Sequence, residues 1–113
     1  MVKAVFVAYS NPNSIDDETE FNRWYDLEHL PAVCSVEGVS GARRFEIATQ
    51  QVHGAHADGH RYLALYEIDS PNPQAVVDEI KRKSTDGTFV MSRAMNMTHH
   101  RPVTTLYIEH PPS

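Results

Sequence analysis

The sequence has few of the features that mark disulfide-rich, membrane-spanning or nucleic-acid-binding proteins. Cys34 is the single cysteine among 113 residues, which excludes an internal disulfide framework and suits a reducing cytoplasm. No apolar run approaches the roughly 18 residues of a membrane span. Ten basic residues against fifteen acidic ones give a net charge of −5. We therefore expect no nucleic-acid partner and no binding to an anionic membrane surface.

Nucleotide-binding motifs are missing as well. The sequence contains no glycine-rich dinucleotide loop, no P-loop and no nucleophile elbow. NAD, FAD and ATP bound by those routes are unsupported, and we expect no cofactor. A chain with 41% hydrophobic and 22% charged residues is an ordinary globular one, and its length predicts a single domain over residues 1–113.

Strand and helix patterns alternate along the chain. Val, Phe and Tyr dominate the first run, from Val2 to Tyr9, which reads as a strand and not as a signal peptide. A helix is predicted from about Asp17 to His29, because Leu30-Pro31 should end or kink it. A second helix should start at Pro73 with Asn72 as its cap. The remaining predicted strands cover about 39–48, 61–69 and 102–109, and a short helix is an open possibility within 85–99.

The resulting order, β-α-β-β-α-β, predicts an α+β fold of the ferredoxin-like type. In this fold both helices cover one face of a four-stranded antiparallel sheet. The first strand is apolar on both faces, so the uncovered face also needs a partner. Since no element of the chain remains to cover it, we expect a two-fold homodimer formed through the sheet faces.

The first helix carries the residues of most chemical interest. At 100° per residue, Phe21, Trp24 and Tyr25 form its buried face. On the same projection Glu28 points into that face, and His29 lies at its edge beside Tyr25.

The segment Glu20-Phe21-Asn22-Arg23-Trp24-Tyr25-Asp26-Leu27-Glu28-His29-Leu30-Pro31 resembles the first helix of the EthD-like proteins, which belong to the dimeric α+β barrel superfamily. The following Val36-Glu37-Gly38-Val39 and Ala42-Arg43-Arg44-Phe45 resemble that family's entry into its second strand. The resemblance implies a homodimer and a small-molecule pocket between helices and sheet in each subunit. Because superfamily relatives include isomerases, lyases, cyclases and cofactor-free monooxygenases, it implies the fold more strongly than the reaction.

His29 is the leading candidate for catalysis. An imidazole can give and take protons near neutral pH, and this histidine matches the one that the family places at its pocket. Tyr25 or Asp26, one helical turn earlier, would orient it. The alternative is that His29 only caps the end of the helix, where a cation is favourable.

Glu28 is the second candidate catalytic group. A carboxylate on an apolar face must be paired, protonated or at a cavity, and burial would raise its pKa. In the alternative interpretation, the helix end turns outward and Glu28 is solvated. Arg43 and Arg44 lie on opposite faces of the second strand. One of them could hold an anionic group of the substrate or pair with Glu28, and the other would be a surface or dimer residue.

Several aromatic residues could line a substrate pocket, although such residues are more often part of a core or an interface. We count as substrate-binding candidates Trp24, Tyr9, Tyr66 and His99. Tyr62 and Tyr107 are further aromatic residues of this kind.

A polar loop contains His53, His56 and His60, with Asp58 as a conceivable fourth metal ligand. The spacing matches no established zinc pattern, so we expect no metal and a dispensable loop. Cys34 reads as a small buried residue and not as a nucleophile.

These observations favour a cytoplasmic, cofactor-independent enzyme of isomerase, lyase, dehydratase or cyclase type. His29 would supply acid–base chemistry on an aromatic or polyketide-like small molecule. A non-catalytic binding or accessory protein with the same pocket is the first alternative, and a cofactor-free monooxygenase is the second.

Overall fold

A four-stranded antiparallel sheet forms the centre of the computed structural model, which describes residues 1–49, 51 and 59–111. The strands are β1 (Val2–Ser10), β2 (Val39–Glu46), β3 (Tyr62–Ser70) and β4 (Val103–Ile108). Their order across the sheet is β2-β3-β1-β4. The two central strands are therefore the first and third in the chain, as the ferredoxin-like arrangement requires.

The strand register separates the side chains into two faces. Phe6 pairs with Tyr66 and Ala8 with Ala64, and because side chains alternate along a strand, these residues share one face. This covered face packs against the helices. Its buried sheet residues are Ala4, Phe6, Tyr62, Ala64, Tyr66 and Ile68. The opposite face, here called the open face, carries the residues that alternate with these, such as Val7, Arg43, Leu65 and Tyr107.

A long helical segment, residues 18–34, lies over the covered face and consists of three parts. An α-helix, α1 (Glu18–Trp24), is followed by a π-helical turn at Tyr25–His29 and by a second short α-helix, α2 (Leu30–Cys34). In the π turn the backbone N–H of Leu30 donates to the carbonyl of Tyr25, five residues earlier. Pro31 lies in the first turn of α2, where a missing N–H is tolerated.

Leu30-Pro31 was expected to end or kink the first helix, and of these two outcomes the ending is wrong. The wider π turn absorbs the backbone irregularity ahead of the proline, and the chain stays helical as far as Cys34.

The π turn also changes which residues face the core. In a continuous α-helix, Trp24 and His29 would be about 140° apart, on nearly opposite sides. The π turn contains one more residue than an α-helical turn, so residues five positions apart, such as Trp24 and His29, lie on the same side of the helix. His29 is consequently buried, whereas Glu28 keeps 38% of its side chain exposed. The predicted inward orientation of Glu28 is wrong for this reason.

The second predicted helix is found as α3 (Pro73–Thr85), and the Asn72 side chain accepts from the backbone N–H of Ala75. Val76 and Ile80 bury its apolar stripe against the sheet. Residues 86–102 contain no helix, so the open possibility of a short one is not realised. Phe89, Ala94 and Met95 of this irregular segment complete the core. No helix in the described parts of the chain is long and apolar enough to cross a membrane.

Candidate functional site

His29 lies in an aromatic enclosure that the π turn creates. Its ring stacks on the indole of Trp24, with centroids 4.8 Å apart and planes inclined by 22°. The ring of Tyr25 meets it edge-on at 5.1 Å and that of Phe89 at 5.9 Å. His29 is only 9% exposed. The predicted pairing of His29 with Tyr25 is present as a ring contact, and Trp24 is the closer neighbour.

The enclosure keeps the imidazole neutral. Burial lowers the pKa of His29 to about 4, because no described group compensates for the lost hydration of the charged form. The buried Nδ1 atom has no hydrogen-bond partner among the described residues. At neutral pH the ring can therefore accept or donate one hydrogen bond to an incoming group. Capping by a protonated His29, the alternative drawn from the sequence, requires a charge that this site disfavours.

The irregular segment after α3 closes the enclosure. The indole Nε1–H of Trp24 donates to the carbonyl of Val90 at 2.8 Å, and the neighbouring Phe89 contacts His29. Farther along, the backbone N–H of Asn13 donates to Ala94 O and that of Asn96 donates to Asn11 O. Phe89 therefore covers one edge of the His29 enclosure.

Arg44 extends from β2 across the covered face toward the long helical segment. Its guanidinium donates to Oδ1 of Asp26 at 2.8 Å and to Oδ1 of Asn22 at 2.9 Å. The Cζ atom lies 4.4 Å from the ring centroid of Tyr25 and 5.2 Å from that of Tyr62. Only 11% of the side chain is exposed. Of the two arginines considered from the sequence, Arg44 is the one that faces the helices.

Three buried hydroxyl groups lie near one another on the covered face, and those of Tyr25 and Tyr66 are close to Arg44. Tyr25 and Tyr66 are 3% and 1% exposed, and Ser10, at the end of β1, is 1% exposed. The pKa of Tyr25 is raised by burial, and nearby Tyr66, Arg44 and Ser10 oppose part of that rise. The pKa of Tyr66 is also raised, chiefly by burial. Both phenols are therefore protonated at physiological pH and available as donors.

Two candidate groups from the sequence are turned away from His29. Glu28 forms an ion pair with Arg23 on the surface of the long helical segment, with Oε2 of Glu28 2.7 Å from a terminal guanidinium nitrogen of Arg23. Asp26, with 57% of its side chain exposed, pairs with Arg44 and makes no hydrogen bond to His29. In this arrangement Asp26 positions Arg44, and Glu28 is the solvated carboxylate of the alternative interpretation.

Tyr9, Arg43 and Tyr107 lie on the open face. The guanidinium of Arg43 covers the ring of Phe45 at 5.3 Å, and Tyr107 is 52% exposed. The ring of Tyr9 lies 6.2 Å from that of His60. The sheet separates these residues from His29, so they cannot line the same pocket within one subunit.

The histidines of the loop and of the segment before β4 form a separate group. His53, His56 and Asp58 lie outside the described residues. His60 is buried, and its Nε2 is 2.8 Å from Arg101 O. His99 is exposed and contacts Thr98 and the ring of His100, which places it away from His29. Among the described residues no group of three His, Cys, Asp or Glu could hold a metal ion.

His60 thus differs from a dispensable loop residue, because its burial and its contact with Arg101 tie the loop end to the start of β4.

Two clefts among the described residues lie away from the buried cluster formed by His29, Trp24, Phe89 and the Arg44, Tyr25, Tyr66 and Ser10 side chains. One of about 430 Å³ is lined on the sheet by Lys3, Glu67 and Tyr107. A second, of about 230 Å³, lies between Tyr9, Phe45 and His60. His29 lines neither of them.

The sequence did not identify two residues of the buried cluster, Ser10 and Phe89, as site residues. Ser10 continues the inward alternation of Ala4, Phe6 and Ala8, and extending the first strand by one residue would have found it. Phe89 lies in a segment without periodicity, so no sequence signal points to it.

Solved structures of other proteins share this architecture. An ethyl tert-butyl ether D (EthD) family protein from Bacillus halodurans C-125 is 11% identical to the chain. The match covers 96% of this chain and 99% of that protein, with a TM-score of 0.52. A dimeric ferredoxin-like protein of unknown function from Thermobifida fusca YX is 8% identical, with coverages of 96% and 92% and a TM-score of 0.51.

A dimeric ferredoxin-like protein from an uncultured marine organism is 11% identical. That match covers 96% of both chains with a TM-score of 0.54. No protein-family model matches the sequence, and no curated protein sequence matches it. At such identities the likeness concerns the fold. The chain has the α+β fold of the ferredoxin-like proteins, and its expected resemblance to the EthD-like proteins is confirmed for the fold.

Proposed function

We propose that this chain is a cofactor-independent enzyme that moves a proton on a small aromatic or polyketide-like molecule, with His29 as the acid–base group. The observation that carries the proposal is the buried, neutral imidazole of His29, whose Nδ1 has no partner among the described residues. A base must be unprotonated and unoccupied before it reacts. Trp24 and Phe89 supply flat apolar surfaces against which a planar molecule would pack.

The proposed reaction class is isomerisation, dehydration, cyclisation or lyase chemistry, since each needs a proton removed from one atom and returned to another. His29 would take the proton, and the imidazolium would be stabilised by the negative charge that develops on the substrate. Tyr25 touches the His29 ring edge-on and would hold its orientation. Glu28 and Asp26 have no part in this scheme, because both are ion-paired outside the enclosure.

The test follows proton transfer directly and does not require the natural substrate to be identified. The purified protein is incubated in D₂O with 1,3-diketones and substituted phenols, and NMR measures the exchange of acidic C–H protons. Wild-type protein should accelerate exchange in at least one of them, and His29→Gln should reduce that acceleration by roughly 10²–10⁴-fold.

His99→Gln is the matched control, because it removes an exposed histidine outside the enclosure. It should exchange at the wild-type rate. Equal rates for folded wild-type and His29→Gln proteins would refute the catalytic role of His29.

A non-catalytic binding protein is the second candidate. The observation that favours it is the pKa of about 4, since so weak a base abstracts protons slowly. Saturable binding without any exchange or turnover would support this function. Consumption of dissolved oxygen without added cofactor would instead support a monooxygenase.

The open face carries the proposal of a homodimer. Phe45, Val103 and Tyr107 are exposed there by 42%, 42% and 52%. A second copy packed against this face would bury apolar side chains of all four strands, and an interface of this kind should exceed about 1,000 Å². Two neighbours of the same fold are described as dimeric, which supports the proposal. The unpaired thiol of Cys34 favours a cytoplasmic location.

A further inference from the structure

The cluster around Arg44 contains buried polar atoms whose hydrogen-bonding capacity is not used. Tyr66 OH, Ser10 Oγ and Arg44 Nε are buried and have no hydrogen-bond partner among the described residues. An arginine nitrogen can only donate, whereas a hydroxyl can donate or accept. Leaving such a group buried and unpaired costs roughly 1–3 kcal/mol. An additional acceptor would therefore satisfy Arg44 Nε, and the two hydroxyls could donate to the same acceptor.

The three groups converge from two neighbouring pairs of strands. Ser10 of β1 is paired with Tyr62 of β3, and Ala42 of β2 is paired with Tyr66 of β3. Arg44 lies between these pairs, opposite Ala64. All three side chains lie close to Tyr25. The hydroxyls of Tyr66 and Ser10 approach its phenol without completing a hydrogen bond of good geometry, and the Arg44 guanidinium lies over its ring.

The orientation of Arg44 is fixed from the solvent side. Asp26 and Asn22 accept from its two terminal nitrogens, which leaves Nε directed into the protein. The rings of Tyr25 and Tyr62 lie beside the guanidinium and exclude water from it. A cation held in this way, next to two buried hydroxyls, provides an anion site of low polarity.

We propose that Tyr66, Ser10 and Arg44 bind the ionised oxygen of a phenolate or enolate substrate. This inference rests on the proposed function, because it assumes that the ligand enters between the long helical segment and the sheet. Aromatic rings around the cluster favour an oxyanion attached to a planar, conjugated molecule over a strongly hydrated inorganic anion. Tyr25 separates the cluster from His29, so a planar substrate would lie along Tyr25 with its oxygen at Arg44 and its acidic carbon toward His29.

The probe for this site is 4-nitrophenol, whose ionised and neutral forms differ in visible absorption. Titrated into the intact protein at mildly acidic pH, it should bind as the anion, so that phenolate absorbance rises as protein is added. Nitrobenzene, which lacks the ionisable oxygen, should bind much more weakly. Inorganic phosphate should not compete with 4-nitrophenolate.

Tyr66→Phe and Ser10→Ala each remove one donor and keep most of the side chain's shape. Each should weaken 4-nitrophenolate binding by roughly 10- to 100-fold, the range for a hydrogen bond to a charged group. The melting temperature should stay level or rise, because each substitution removes a buried unpaired hydroxyl. Tyr107→Phe, the same change on the open face, should leave affinity unchanged.

Three results would overturn the inference. They are wild-type affinity in both hydroxyl variants, equal affinity for nitrobenzene, and competition by phosphate as strong as that by a phenolate. Failure of the proposed function is a separate outcome. If wild type and His29→Gln both bind 4-nitrophenolate but the wild type catalyses no proton exchange, the anion site stands and the proposed enzymatic function is refuted. If the wild type catalyses exchange that depends on His29 but does not bind 4-nitrophenolate, the enzymatic function stands and the anion site is refuted.

Discussion

The two faces of the sheet differ in which groups they leave unsatisfied: the covered face buries polar atoms without partners among the described residues, and the open face exposes apolar side chains. On the covered face, Ser10, Tyr66 and Arg44 keep buried polar atoms unpaired. On the open face, Arg43 lies over Phe45, and apolar residues such as Tyr107 are left exposed. A polar atom buried without a partner lowers stability, and an apolar patch exposed to water gains nothing. The covered face therefore carries the proposed small-molecule site, and the open face carries the proposed interface.

Truncating the aromatic enclosure should produce the largest loss of stability. Trp24 is 1% exposed and contacts the rings of Phe21, Tyr25 and His29. Trp24→Ala should lower the free energy of unfolding by about 3–5 kcal/mol, measured by urea denaturation. Leu27→Ala, on the exposed side of the same helical segment, should change it by less than about 0.5 kcal/mol. Similar losses in both variants would contradict the assignment of the covered face.

The pH dependence of stability should come next. The folded-state pKa of His29 is lowered to about 4 from 6.5, so the unfolded chain binds the proton first as the pH falls. The stabilisation is complete above about pH 6.5 and is lost progressively toward pH 4, in total roughly 3 kcal/mol. Unfolding measured across this range should show a shallower decline for His29→Gln than for wild type. His99→Gln should keep the wild-type slope, and a parallel decline in all three proteins would show that His29 is not the buried titrating group.

Placing a charge on the open face should separate the subunits without unfolding them. Leu65 faces that side of β3, and Leu65→Lys would bring two unpaired ammonium groups into the proposed two-fold interface. The dimer dissociation constant should rise by at least about 100-fold, as sedimentation equilibrium would measure. Leu27→Lys is the matched charge on the exposed helical surface and should leave the dimer intact. A Leu65→Lys protein that stays dimeric, or a wild-type monomer at micromolar concentration, would refute the open face as the interface.

The smallest effect concerns Gly38, in the turn before β2, against which α3 packs. Gly38 has φ +100°, and a Cβ there would lie 2.6 Å from Cγ2 of Val76. Gly38→Ala should cost about 1–3 kcal/mol in the free energy of unfolding, from backbone strain and from the clash. Gly87, with φ +89°, has no atom within 4 Å of such a Cβ, so Gly87→Ala measures the strain alone. Equal losses in both would mean that α3 shifts freely and that the covered face is loosely packed.

Local patterns were sufficient to predict the sheet and α3. Alternation gave the strand faces, and Asn72-Pro73 marked the start of the helix, since both signals act within a few residues. The resemblance over residues 20–45 identified the fold, which the structural comparison bears out.

The candidate site was less predictable, because it depends on a change of helical period. A fixed period of 3.6 residues put Glu28 inside and His29 at the edge, and the π turn exchanges their environments. The residue types of Tyr25–His29 do not predict a π turn. The segment with Phe89 folds over His29 through tertiary contacts alone, which no local pattern encodes.

The π turn has a consequence for how this helix compares with others. A π turn is an α-helical turn with one residue inserted, so it alters the length of the chain between two fixed points. A helix of the same fold without it should align with this one only across a one-residue gap between Trp24 and Leu30. Sequence comparisons that forbid the gap would then set His29 against a residue that points to solvent, and equivalent positions would go unrecognised although the three-dimensional site is shared.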